Sequence, residues 1–177
     1  MCKTSAEAKR RAPPSRPSCP SRVALNKRPT AIGPQTEMSR RYQDYSFRVA
    51  EVEGRSLTRL IGAVDKGRDE RSPSVVFAEF DGADAWHRFF LQAQIAFWET
   101  WEGGSIESAF DELREDDFRL VDYSERVGGL PQRLVSAAAF ENADALTHLR
   151  LVFESGARMT LVPDSPDIDS GFHVDFG

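Results

Sequence analysis

The stretch Phe97-Trp98-Glu99-Thr100-Trp101-Glu102 carries the residue types of this chain that most resemble a binding chemistry. An aromatic face attracts cations through its quadrupole, and a neighbouring carboxylate adds a full charge, so the segment suits a cation or a basic protein surface. The same side chains also suit a hydrophobic core. A second acidic run follows at Asp111, Glu112, Glu115, Asp116 and Asp117. Asp111 and Glu115 are four apart, where like charges on a helix face each other and cost roughly 0.2–0.5 kcal/mol. A solvated face tolerates that cost, and a face that meets a cationic partner recovers it. The candidate docking residues are therefore Trp98, Glu99, Trp101, Glu102, Asp111, Glu112, Glu115 and Asp116, and the partner they suit is a basic protein.

Other chemistries have weaker support in the residue pattern. His87, His148 and His173 stand in no His-x-x-x-His or Cys/His spacing, so a metal site needs all three to converge from separate elements. Asp164, Asp167 and Asp169 with Gly171 supply the oxygens a hard cation wants. Their spacing departs from a calcium loop, no bidentate Glu follows, and Pro166 stiffens the segment, so a solvated turn is expected. There is no Gly-x-Ser-x-Gly, phosphate loop or dinucleotide fingerprint. No catalytic, cofactor-binding or metal-ligating residue is assigned.

Charge divides the chain. Residues 1–41 hold ten Lys/Arg against two acids, a net of +8, whereas the remainder holds 13 basic and 26 acidic residues, a net of −13. All 12 Phe and 3 Trp fall after position 41, and Pro13, Pro14, Pro17, Pro20, Pro29 and Pro34 crowd the basic part. Proline removes backbone donors, and so few apolar groups cannot offset ordering entropy. Residues 1–40 are therefore expected to be a disordered basic arm, and residues 41–177 one acidic domain. The arm reads as a solvated tail, as a nucleic-acid-binding arm, or as a leader bypassed by initiation at Met38. Cys2 and Cys19 both lie in it, which excludes a disulfide-built body. No apolar stretch approaches the ~18 residues of a membrane span, so a cytoplasmic protein without membrane partners is expected.

The elements that must position these residues are mostly strands. Residues 45–53 alternate at Tyr45, Phe47 and Val49. Leu57 to Val64 reads as extended. Val75 to Phe80 runs into Asp81-Gly82, a hairpin corner. Residues 86–101 fit both a helix and a strand. Residues 105–118 fit a helix with Ile106, Phe110, Leu113 and Phe118 along one stripe. Arg119–Ser124, Leu134 onward, Leu146–Phe153, Met159–Pro163 and Phe172–Phe176 read as strands, with turns at Gly128-Gly129-Pro131 and Ser155-Gly156. An internal echo links Arg59-Leu60-Ile61-Gly62-Ala63 to Arg133-Leu134-Val135-Ser136-Ala137, and Phe80-Asp81-Gly82 to Phe153-Glu154-Ser155-Gly156. Either chance or duplication of a β unit accounts for it; duplication makes residues 86–91 a strand. The expected fold is α+β, mostly antiparallel sheet with one or two helices.

From the Phe80-Asp81-Gly82 corner through Phe90-Leu91-Gln92-Ala93-Gln94-Ile95-Ala96-Phe97-Trp98-Glu99, the chain resembles small bacterial domains of the immunity-protein type. That resemblance transfers no catalytic residue; an acidic, cysteine-free, aromatic-rich body without a catalytic signature points to a non-enzymatic binding protein, of the immunity or antitoxin-like kind. The alternatives are an enzyme using carboxylate or histidine chemistry and a nucleic-acid-associated protein acting through residues 1–40.

Overall fold

The computed structural model describes residues 38–83, 85–101, 117–167 and 170–177. Eleven strands run in chain order: β1 (Met38–Asp44), β2 (Phe47–Arg48), β3 (Ser56–Asp65), β4 (Val75–Phe80), β5 (Trp86–Gln92), β6 (Ile95–Trp101), β7 (Phe118–Asp122), β8 (Gln132–Glu141), β9 (Thr147–Phe153), β10 (Arg158–Pro163) and β11 (Phe172–Phe176). All pairings are antiparallel, in the order β1-β6-β5-β4-β3-β8-β9-β10-β11. The expected α+β class is therefore corrected to an antiparallel β fold. Among the described residues the helical structure is one 3₁₀ turn, Glu125–Val127. The expected helix over 105–118 lies outside the described residues, apart from Asp117 and Phe118, and Phe118 opens β7.

Two four-strand meanders make up the body, β3 to β6 and β8 to β11. They share a corner where Ser56 and Leu57 pair with Arg133 and Gln132. Beyond it the strands diverge: β3 continues against β7, and β8 continues against β2. The echoed residues Leu60, Leu134, Phe80 and Phe153 are all buried in one core, but their registers differ: Leu134 pairs with Phe153, whereas Leu60 pairs with Ala78 and Phe80 with Leu57. Strands β5 and β6 face β9 and β10 across that core. Residues 86–101 are thus two strands. Their helical reading fails because period-two alternation, with Phe89, Leu91, Ala96 and Trp98 inward, places these side chains in the core.

The β5–β6 hairpin turns through two residues, Ala93 (φ 52°) and Gln94 (φ 62°), opposite the Gln92–Ile95 pair. Such turns favour Asn or Gly because an L side chain is strained at positive φ. Gln94 offsets part of that cost by donating from Nε2 to Ser165 O (3.0 Å) and Asp167 O (3.3 Å).

Two boundaries also move. Strand β1 begins at Met38, which pairs with Trp101, inside the span expected to be arm; residues 1–37 lie outside the described residues. The strand expected over 45–53 shrinks to Phe47–Arg48. Residues 49–55 turn instead, with Val52 N bonded to Val49 O and Glu53 N to Ala50 O. Val49 and Val52, three apart, are both buried in the main core.

A second, smaller apolar cluster of Ile61, Ala63, Phe77 and Trp86 lies on the opposite side of β3–β5. Gly62 between Ile61 and Ala63 has a steric reason. A Cβ there would meet Tyr123 Oη at 2.5 Å, so the buried Tyr123 ring packs on bare backbone.

Candidate functional site

The aromatic-acidic segment predicted to dock a partner is β6, and both its faces are covered. Trp98 points into the core and is 0% exposed. It stacks on Phe89 with centroids 5.0 Å apart and donates Nε1–H to His87 Nδ1 at 3.1 Å. Because His87 Nδ1 accepts, the proton of the neutral ring sits on Nε2. Glu99 is 3% exposed and is held by the guanidinium of Arg88, whose Nε and Nη2 both reach Oε2. Phe97 stacks on Phe90 at 4.8 Å, and the Arg88 guanidinium lies 5.7 Å from the Phe90 ring centre. Trp101, half-buried, leans on Phe77 at 5.9 Å.

The expectation that Trp98 and Glu99 present a surface is therefore corrected. Residues three apart on a strand point to opposite sides, so Trp98 and Trp101 do not form one patch. The acid is neutralised by a cross-strand arginine, Arg88 being the register partner of Glu99. Glu102, Asp111, Glu112, Glu115 and Asp116 lie outside the described residues.

The histidines are dispersed. His87 is in the core, His148 lies on β9, and His173 on β11 sits 2.9 Å from Asp164 Oδ1. Among the described residues no group of three or more His, Cys, Asp or Glu is placed to hold a metal ion. Asp164 already faces Arg68 at 3.2 Å as well as His173. No helix among the described residues is long and apolar enough to cross a membrane.

Acidic groups instead gather at one end of the body. Asp44 ends β1 opposite Ala96, beside the β5–β6 turn, and Gln94 ties that turn to Ser165 and Asp167. Strand β8 runs to Glu141 at the same end, and Asp144 lies in the loop that follows. Tyr45, 47% exposed, stands next to Asp44 and two residues before Phe47, which pairs with Ala139 on β8. Among the described residues, no Lys or Arg comes within ion-pair distance of Asp44, Glu141, Asp144 or Asp167. This end is an aromatic-acidic rim of the kind sought in the sequence, built from four separate loops. No contiguous motif marks it, because the fold alone brings its residues together.

The outward side of β9–β11 has the opposite character. His148 and Arg150 on β9, Arg158, Thr160 and Val162 on β10, and Asp175 on β11 surround a hollow of about 450 Å³. Arg150 donates Nε–H to Thr160 Oγ1 at 3.2 Å and lies over the Phe140 ring at 4.6 Å. Burial, and then the Arg150 charge, pulls the His148 imidazole below its ordinary value. His148, Arg150 and Val152 alternate with the buried Leu149, Leu151 and Phe153 along β9.

Set against protein-family models, curated proteins and solved structures, the chain matches none of them.

Proposed function

We propose that the chain is a non-enzymatic binding protein, of the immunity or antitoxin-like kind, whose body engages a basic partner through its acidic rim. The charge of the body carries this reading. Residues 42–177 bear a net of −13, and Asp44, Glu141, Asp144 and Asp167 meet at one end with no described cation against them. Such a field steers a cationic surface into encounter and raises the association rate. Tyr45 supplies an exposed amphipathic ring among those carboxylates, the residue type that anchors interfaces.

The experiment is affinity capture with the full chain from its host's lysate, at about 50 mM and 150 mM salt, bracketing the range over which surface charge is screened. The expected result is a basic protein retained at both, more strongly at low salt. Retention of nothing basic at either salt overturns the proposal.

A further inference from the structure

The hollow on the outward side of β9–β11 is set apart from the rim by its charge. Arg150 has no carboxylate within ion-pair distance among the described residues; its Nε is spent on Thr160 and its plane rests on Phe140. Its two terminal nitrogens are therefore held in a fixed orientation with donor capacity left over. Arg158 stands at the same hollow, its main chain paired with that of Gly177 (N to O, 2.7 Å). Asp175, the acid in the lining, is engaged by Arg71 at 2.5 Å, with His173 Nε2 at 3.8 Å. Thr160 is 7% exposed, and Nε2 of His148 is buried with no hydrogen-bond partner. A buried ring nitrogen without a partner costs on the order of 1–3 kcal/mol. A cationic fork and a hydroxyl line one hollow, together with the His148 ring, and match the donor set of an oxyanion site.

We propose that this hollow binds a small oxyanion, a phosphate or carboxylate group, held bidentately by Arg150 with the Thr160 hydroxyl as the supporting polar group. Arg158 closes the site toward β11. The volume admits a group of that size with its first waters, and the planar guanidinium gives the site its orientation. In an otherwise acidic body, this is a position at which an anionic ligand or an acidic side chain of a partner is accepted and not repelled.

The test is calorimetric titration of the full chain with sodium phosphate at constant ionic strength, with acetate in parallel. Saturable phosphate binding is expected, with a dissociation constant of about 1 mM or tighter. Arg150→Gln should weaken it at least about tenfold, and Arg126→Gln, at a residue that does not line the hollow, less than about twofold. If Arg150→Gln loses the far-ultraviolet dichroism of the wild type, Thr160→Val takes its place, with weakening of about threefold or more expected. Phosphate binding tighter than acetate assigns the ligand to the phosphate class, and the reverse to carboxylates. No saturable binding of either anion up to about 10 mM, or an unchanged affinity in the folded variant, overturns the proposal.

Discussion

Replacing Glu99 by Ala separates the two roles open to the β6 aromatic-acidic segment. A docking carboxylate on the surface contributes almost nothing to folding, since exposed ion pairs are worth about 0–1 kcal/mol. The Glu99 side chain is instead only 4% exposed, and Arg88, its partner, is 25% exposed. Removing one member of a fully buried pair costs about 3–5 kcal/mol, because the other charge is left without compensation. Arg88 keeps some access to water and lies near Phe90, so the expected loss falls to about 2–3 kcal/mol. Against a total stability of about 5–15 kcal/mol that is easily read as a drop in the urea midpoint at constant slope. The double variant Arg88→Met/Glu99→Met removes both charges and keeps the volume. It should recover most of the loss, to within about 1 kcal/mol of wild type, since apolar replacement of a buried pair is often neutral. Equilibrium urea unfolding of the three proteins at pH 7 measures all of this. A Glu99→Ala protein within about 0.5 kcal/mol of wild type would refute the buried-pair reading and return Glu99 to the surface.

Other consequences are as specific. Gly62→Ala puts a Cβ 2.5 Å from Tyr123 Oη and 2.6 Å from Cε2; the ring must leave its place, and unfolding measurements should show a loss of about 1–3 kcal/mol. Tyr123 donates its hydroxyl to Glu70 O, and burial, with Glu70 adding to it, pushes its pKa up to about 12 from 10.0. The unfolded chain therefore ionises first. Stability is intact below pH 10 and is lost between pH 10 and 12, by up to about 3 kcal/mol. Tyr123→Phe should remove that alkaline loss from the stability profile while costing about 1 kcal/mol at neutral pH.

The strands were legible wherever polar and apolar residues alternate under a recognisable turn. Leu149, Leu151 and Phe153 alternate ahead of Ser155-Gly156, and β9 and β10 lie where that pattern puts them. Residues 86–91 fit a helix and a strand alike in the sequence, and duplication of a β unit was the reading that made them extended, as they are in β5. The β5–β6 hairpin was obscured because its turn is Ala93-Gln94, held at positive φ by tertiary hydrogen bonds and not by a glycine. Residues 45–53 misled because Val49 and Val52 enter the core from successive turns, which short-range alternation cannot reveal. The docking segment failed at its centre for another reason. Side-chain type does not report burial, and Arg88, which neutralises Glu99, sits 11 residues earlier. Both the acidic rim and the Arg150 hollow draw on loops or strands distant in sequence, so only the assembled sheet order brings them together.

The reading of this protein as a docking partner for cationic surfaces is tested most directly by neutralising its rim. The variant carries Asp44→Asn, Glu141→Gln, Asp144→Asn and Asp167→Asn in the full chain, and capture of the basic partner is compared with wild type at about 50 mM salt. All four side chains are exposed, so the fold should persist. Neutralisation should weaken partner affinity at least about tenfold and flatten its dependence on salt. Equal capture by the neutralised and native proteins would contradict it.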